Sequence, residues 1–260
     1  MNRPVHCRTV FVSDVHLGAT GCKAAEFQNF LHSMECENLF LVGDIIDGWV
    51  TRAKRWKQLD SNVIRTILGL AKRGTRICLT PGNHDAFMRR LNGSELGFIE
   101  IDDEFIHTTA NGKDLVVLHG DFFDPTCRKY SWLAWIGAWA YEYVQITNQK
   151  LNKKRKGRRL DFASPLKRLC KGIFTRRNYY DLLLIEYARQ HGLDGVICGH
   201  IHRPELRILD DGFIYGNTGD WVEHCTVIVE HFDGQLELIN WEEWCLEDKI
   251  QAASPIGEVR

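Results

Sequence analysis

Residues 9–18 read TVFVSDVHLG, an apolar run that stops at Asp14 and His16. A short run of β-branched and aromatic residues is typical of a buried strand, and the polar pair follows directly at its end. The same arrangement recurs in NLFLVGD, RICLTPGNHD, LVVLHGD and GVICGHIH. Because ligands in open α/β sheets gather beyond the carboxyl ends of strands, five such loops from one sheet are expected to converge on a single point.

Helical patterns separate these runs. Apolar residues recur at helical spacing over 23–36 and again from Val63 to Ala71, and a third helix is expected over 180–191. Three strand-like runs joined by turns follow: FIYGN, CTVIVEHF and QLELINW. This order predicts an α/β fold, a layered αββα-type sandwich with mixed sheets, plus an inserted helical subdomain.

The predicted insertion covers 124–180, where no strand-like run occurs. The main domain is then expected over 1–123 and 181–246, with a flexible tail over 247–260. Within the insertion, Lys150–Arg177 contains twelve Lys or Arg residues and a single acid. This concentration of positive charge favours an anionic partner. Charge alone does not distinguish an anionic membrane surface from a nucleic acid.

An aromatic face precedes the basic segment at helical spacing. It consists of Trp132, Trp135, Trp139 and Tyr143. Such a face either packs on its own domain or lines a groove for an apolar ligand, and both readings stay open here.

The composition indicates the cellular compartment in which the protein is expected. The chain has nine cysteines, an odd number, and no two of them form a C-x-x-C pair. This pattern indicates buried free thiols and a reducing compartment. No signal peptide or long apolar segment is recognised. The chain is therefore expected in the cytoplasm, either free or attached peripherally to the inner face of the membrane.

The residues at the strand ends are Asp, His and Asn, a mixture of oxygen and nitrogen ligands that suits transition-type divalent cations. Each motif alone is weak, since short Gly/Asn/Asp sequences also form ordinary turns. Adjacent residues of an extended segment alternate in direction, so Asp14 and His16 are expected to face one ion together. His200 and His202 would do the same if extended, or serve neighbouring ions if their segment curls.

In this order, D-x-H, GD, GNHD, H and GHIH resemble the calcineurin-like metallophosphoesterase superfamily over positions 14–202. The resemblance implies two cations that activate water for attack on phosphorus. It implies these ligands: Asp14, His16 and His202 for one cation, Asn83, His119 and His200 for the other, and Asp44 as the bridge. It also implies that His84 donates to the scissile phosphate or leaving group, and that Asp85 orients His84.

The segments SDVHLG, LVGDIIDGW, PGNHD, LHGDFFD, GHIHRPE and GNTGDWVE are similar to the UDP-2,3-diacylglucosamine diphosphatase family of lipid A biosynthesis. That resemblance implies hydrolysis of a lipid-linked sugar nucleotide to UMP and 2,3-diacylglucosamine 1-phosphate, with Mn²⁺ as the usual metal. Substrate contacts are expected from the aromatic face, Arg203 and Trp221, although a core position for Trp221 is an equal alternative.

The chain departs from that family at His84, where the best-known members carry Arg. The departure leaves open a distinct branch with the same activity, or a phosphodiesterase or phosphatase acting on nucleotides or nucleic acid. A non-catalytic metal-binding scaffold is the third hypothesis.

Overall fold

The computed structural model describes residues 5–49, 56–124 and 177–253. Helices in this part of the chain are α1 (Ala24–Ser33), α2 (Gln58–Lys72), α3 (Arg177–Gln190) and α4 (Trp241–Ala253). Two 3-10 turns cover Ala86–Leu91 and Asp121–Phe123. The strands are β1 (Val5–His6), β2 (Thr9–Val12), β3 (Met34–Glu35), β4 (Asn38–Val42), β5 (Arg76–Thr80), β6 (Ser94–Leu96), β7 (Ile99–Ile101), β8 (Glu104–Thr108), β9 (Asp114–Leu118), β10 (Gly195–Cys198), β11 (Glu205–Ile208), β12 (Ile214–Asn217), β13 (Thr226–Glu230) and β14 (Leu236–Asn240).

The strands form two mixed sheets, as predicted, and one short parallel pair, β1 with β3. The larger sheet has the order β14-β13-β2-β4-β5-β7-β6, with β2, β4, β5 and β7 parallel. The smaller sheet has the order β11-β12-β10-β9-β8, with β9, β10 and β12 parallel and antiparallel strands at both edges. The predicted α/β class is therefore confirmed.

Both faces of the central strands of the larger sheet are buried, because neighbouring residues of these strands join different cores. Val10 of β2 belongs to a cluster that includes Phe27 of α1 and Val63 of α2. Phe11 belongs instead to a cluster with Val117 and other residues of the smaller sheet. Burial on both sides explains why these parallel strands are almost continuously apolar rather than alternating.

A buried ionic cluster joins the two sheets at the amino end of β2. The side chain of Glu230 on β13 is fully buried, and its Oε2 lies 2.7 Å from Nε2 of His107 on β8. Its Oε1 accepts hydrogen bonds from the Arg8 guanidinium at 2.7 Å and the Ala110 N–H at 2.6 Å. Burial alone would raise the pKa of Glu230, but these hydrogen bonds, together with one from Thr9, lower it to about 2.

The structure adds detail to the C-terminal strands, to two edge strands and to the last helix. FIYGN lies in the smaller sheet and CTVIVEHF in the larger one, so these strands are not hairpin neighbours. The edge strands β6 and β11 lack a strong apolar pattern and were missed. The helix α4 continues to Ala253 after the Asn240 side chain accepts the N–H groups of Glu242 and Glu243, and the flexibility of 247–260 stays a prediction.

The chain divides into two compact units, Met1–His119 with Ala188–Arg260, and Gly120–Tyr187. The predicted insertion over 124–180 falls within the second unit. Its residues 125–176, with the whole aromatic face, lie outside the described residues, so its helical character stays a prediction. Within the described ranges, none of the helices combines the length and apolar character needed to cross a bilayer.

Candidate metal centre

The polar loops converge as expected, but they come from two sheets and not from one. Asp14 and Asp44 follow β2 and β4 of the larger sheet, and Asn83 and His84 follow β5. The loops with His119 and the pair His200 and His202 follow β9 and β10 of the smaller sheet. The carboxyl ends of both sets of parallel strands thus supply one centre.

The backbone at this centre is kinked rather than extended. In the described residues, six non-glycine residues have a positive φ, and five of them belong to the centre: Asp14, His16, Asp44, His200 and His202. An L-residue pays a steric penalty in the left-handed region, and such residues concentrate at functional sites. The expectation of an extended Asp14–His16 segment is therefore wrong, although both side chains still face the same point.

The first ligand group is formed by Asp14, His16 and His202. Oδ1 of Asp14 lies 3.2 Å from Nε2 of His202 and 3.7 Å from Nε2 of His16, and these two nitrogens are 3.4 Å apart. Ligand atoms about 2.1 Å from one cation lie about 3.0–3.4 Å from each other at octahedral or tetrahedral angles. Oδ1 of Asp14 is buried without a hydrogen-bond partner, while Oδ2 accepts the N–H of His200 at 2.9 Å. This donor set fits a divalent cation.

Asp44 lies between the first group and His119. Its Oδ2 is 3.4 Å from Nε2 of His119 and 3.9 Å from Nε2 of His16, whereas Oδ1 accepts the N–H of His84 at 2.7 Å. Nδ1 of His119 lies 2.8 Å from the carbonyl oxygen of Val42, to which it can donate, so that Nε2 is directed at the centre. One carboxylate oxygen is therefore placed where a bridging ligand would be needed.

Asn83 and His200 are the remaining ligands predicted for the second cation, together with His119. Oδ1 of Asn83 lies 3.0 Å from Nδ1 of His200, and the rings of His200 and His119 are 5.3 Å apart. His200 thus faces Asn83 and His119, while His202 faces Asp14. Of the two alternatives for this pair, the structure shows the curled backbone, and the assignment of the two imidazoles to neighbouring cations stays a prediction.

Glycine is required beside these ligands because the loops pack against each other. Gly43 has φ +79, and a Cβ there would lie 2.7 Å from Cβ of His119. A Cβ on Gly82 would lie 2.7 Å from the backbone nitrogen of Asp44 and equally close to Cδ2 of His119. A side chain at Gly43 would displace His119, and one at Gly82 would displace both Asp44 and His119.

His84 is held by two residues that the sequence did not single out. Its Nδ1 lies 3.2 Å from Oδ1 of Asp47, and Trp49 stacks on its ring with a centroid distance of 4.0 Å and an interplanar angle of 25°. Nε2 of His84 lies 4.0 Å from Oδ2 of Asp44, so the ring borders the ligand groups. The signal available in the sequence was the spacing of GDIIDGW, which puts Asp47 and Trp49 on the Asp44 loop.

A sequence model of the family described as calcineurin-like phosphoesterase matches residues 7–204. The chain belongs to the calcineurin-like phosphoesterase family. It is a metal-dependent phosphoesterase.

Two curated relatives of this phosphoesterase carry the same name. A UDP-2,3-diacylglucosamine hydrolase of Xanthomonas campestris is 26% identical over 248 residues, 87% of this chain and 96% of the relative. One of Vibrio atlanticus is 23% identical over 85% of this chain and 93% of the relative. Among solved structures, a hypothetical protein from Pyrococcus horikoshii is 10% identical, with a TM-score of 0.48 over 95% of this chain and 94% of that chain.

Asp85 does not orient His84 in the phosphoesterase, and that prediction is wrong. Its Oδ1 accepts the N–H of Gly82 at 2.6 Å, and its Oδ2 accepts the N–H of Ile45 at 2.8 Å. The side chain is fully buried, and burial together with the charge of Asp44 raises its pKa. Asp85 therefore ties two ligand loops together, and Asp47 takes the place beside His84.

The other expected substrate contacts have different outcomes. Trp221 is fully buried between Phe27 and Phe30, with ring centroids 4.8 Å and 5.5 Å away, so it is a core residue and cannot stack on a substrate. Arg203 is partly exposed and pairs with Glu205 at 3.1 Å, and its substrate contact stays a prediction. The aromatic face lies outside the described residues.

Electrostatics at the first ligand group favour positive charge. Burial alone would lower the pKa of His16, but Asp14, Asp47 and Asp44 outweigh it and raise that pKa to about 9. Burial would also lower the pKa of His202, but Asp14 and Asp220 outweigh it and raise that pKa to about 10. A divalent cation that displaced these protons would meet the same carboxylates, and its binding would release protons.

Proposed function

We propose that this phosphoesterase hydrolyses UDP-2,3-diacylglucosamine to UMP and 2,3-diacylglucosamine 1-phosphate, using two divalent cations, with Mn²⁺ as the metal. The choice of substrate is supported by relatives named for it that align over most of both chains. The single structural observation that carries the chemistry is Oδ2 of Asp44, which lies within 4 Å of both His16 and His119. We therefore assign Asp44 as the bridge between the two ligand groups.

The predicted ligands are assigned to two cations. Asp14, His16 and His202 hold one cation, and Asn83, His119 and His200 hold the other. Bound there, the cations supply Lewis-acid stabilisation of the charge that develops on the phosphoryl oxygens. The amide of Asn83 ligates without adding negative charge, so the centre keeps its attraction for an anionic substrate.

His84 borders this centre and serves as the proton donor. Asp47 faces Nδ1 and orients the ring, and in the doubly protonated imidazole the Nε2–H on the opposite side can be given to a phosphoryl or leaving-group oxygen. Trp49 covers one ring face and restricts its rotation. Asp85 holds the loops of Gly82 and Ile45 and has no direct part in the proton transfer.

The predicted insertion is proposed to bind the lipid part of the substrate. Its aromatic face would line the acyl chains, and its basic segment would rest on the anionic inner surface of the membrane. A cytoplasmic enzyme with peripheral membrane attachment follows from this proposal.

A second candidate is a phosphodiesterase or phosphatase acting on nucleotides or nucleic acid. It is favoured by the basic segment, Lys150–Arg177, which could hold a phosphate backbone. Its activity would then fall steeply as salt is raised, because counterions compete for the Lys and Arg side chains.

The test is release of UMP from UDP-2,3-diacylglucosamine by the purified protein with Mn²⁺. We expect chelator-sensitive release that Asp44→Asn lowers by more than about 100-fold, because both ligand groups lose their shared carboxylate. Asp211→Asn, at an exposed carboxylate paired with Arg189, is the matched control and should retain full activity. Hydrolysis of a chromogenic phosphodiester without UMP release would refute the substrate and favour the second candidate.

A further inference from the structure

A buried carboxylate outside the expected ligand set lies beside the first ligand group. Asp220 sits in the loop between β12 and β13, and its side chain is inaccessible to solvent. Its Oδ2 lies 3.6 Å from Nδ1 of His202 and 2.6 Å from Nδ1 of His224. Because an isolated buried charge is costly, a carboxylate in this position is expected to interact with the two neighbouring imidazoles.

The backbone holds Asp220 firmly in place. Its Oδ1 accepts the N–H groups of Val222 at 2.8 Å and His224 at 3.3 Å, and also that of Glu223. The next residue, Trp221, donates its N–H to the carbonyl oxygen of Asp14 at 3.0 Å and packs its ring into the core. One carboxylate oxygen is thus occupied by the turn, and the other is left to face the two imidazoles.

The two nitrogens of His202 point in different directions. Nε2 faces Asp14 and His16 in the ligand group, so Nδ1 lies on the far side, toward Asp220. A metal-ligating imidazole usually donates its second N–H to a carboxylate or carbonyl, which fixes the tautomer and the ring orientation. At 3.6 Å the contact is longer than a hydrogen bond, so the structure shows an approach of the carboxylate to this nitrogen.

We propose that Asp220 is a positioning residue that holds the Nδ1–H tautomer of His202 and aims Nε2 into the first ligand group. This inference rests on the proposed assignment of His202 as a metal ligand. His224 shares the same carboxylate oxygen from the solvent side and is not required, because the turn already fixes Oδ1. Asp220 therefore supports metal binding through His202 without touching the metal or the substrate.

The first test is Mn²⁺ binding to the full-length protein, measured by calorimetry and electron paramagnetic resonance. Asp220→Asn keeps an oxygen for the turn but loses the negative charge beside His202. We expect it to weaken one of two Mn²⁺ sites about 10–100-fold and to leave the other unchanged. Coupled-pair spectra at two equivalents of Mn²⁺ should then give way to a mononuclear signal.

Two matched variants separate positioning from loss of structure. His224→Ala should leave both Mn²⁺ affinities unchanged. Asp60→Asn removes another buried carboxylate, which accepts the Lys57 N–H at the start of α2, and should lower thermal stability without changing Mn²⁺ binding. An equal loss of Mn²⁺ affinity in Asp220→Asn and His224→Ala would overturn the proposal, because the contact between Asp220 and His224, and not the charge that faces His202, would then be responsible.

A measurement on the unmodified protein covers the case in which Asp220→Asn does not fold. Long-range ¹H–¹⁵N spectra of the Zn²⁺-loaded chain report which nitrogen of His202 carries the proton. We expect an Nδ1–H of His202 that is shifted downfield and protected from exchange with water by Asp220, and an Nδ1–H that exchanges freely would overturn the proposal. Fewer than two Mn²⁺ per unmodified chain would instead contradict the ligand assignment in the proposed function, so the two failures are distinguishable.

Discussion

Replacing Asp47 with Asn tests how His84 is held. The carboxylate Oδ1 lies 3.2 Å from Nδ1 of His84 and accepts the N–H of Trp49 at 3.1 Å, while Oδ2 lies 3.7 Å from Nδ1 of His16. Burial would raise the pKa of Asp47, but the two imidazoles outweigh it and hold that pKa below its usual range. The side chain is therefore a carboxylate at neutral pH and interacts with both rings.

The size of the effect follows from these contacts. Removing the carboxylate partner of a functional imidazole typically costs about 10–100-fold, or about 1.4–2.8 kcal/mol, and Asn keeps the oxygen for Trp49 but loses the charge that faces His84. Since about 1.4 kcal/mol corresponds to a factor of ten in rate, kcat/KM should fall about 10–100-fold. Hydrolysis of a chromogenic phosphodiester with Mn²⁺ measures this without depending on the lipid substrate.

The control is the same substitution in a His84→Ala background. If Asp47 acts through His84, Asp47→Asn should have little further effect there, because the two residues form one unit. A full 10–100-fold fall in the His84→Ala background would refute this reasoning and place the role of Asp47 at His16. An unchanged rate in Asp47→Asn alone would refute it equally.

Three further predictions concern the loops and the core. Gly43→Ala should lower Mn²⁺ content, measured by mass spectrometry, because the new methyl group displaces His119 and the residue has φ +79; full metal content would contradict this. Trp221→Ala should destabilise the fold by about 3–5 kcal/mol in denaturant unfolding, since a fully buried ring is removed; a loss below about 1 kcal/mol would not fit a core position. Glu230 has a folded-state pKa of about 2, below its unfolded value, so its contribution to stability is present above about pH 4.5 and is lost as the pH falls toward 2. Glu230→Gln should therefore lower stability at pH 7 and flatten its fall between pH 5 and 2, and a parallel pH profile would contradict the cluster's role.

The central strands could be predicted because their residues are buried on both faces. Val10 and Phe11 enter different cores, and the resulting apolar run is visible without any partner. The edge strand β6 was not predictable, since its residues are partly or fully exposed and carry no alternation. The sequence also could not show that His119 comes from the smaller sheet. Local apolar patterns predict a strand but do not show which distant strand it pairs with.

The ligand residues could be predicted from motif order, but the residues around them could not. Asp47 and Asp85 are both acids near His84, and only the path of the kinked loops decides that Asp47 faces its ring while Asp85 turns toward Gly82. Trp221 shows the same limit, because a Trp after a Gly-Asp turn fits either a substrate wall or a core. Its packing against Phe27 decides the matter.

The most direct test of the two-cation centre is anomalous diffraction from crystals of the protein grown with Mn²⁺. We expect two peaks that share Asp44, one contacting Asp14, His16 and His202 and the other contacting Asn83, His119 and His200. A single peak, or a second peak away from Asp44, would contradict the assignment of a bridged pair.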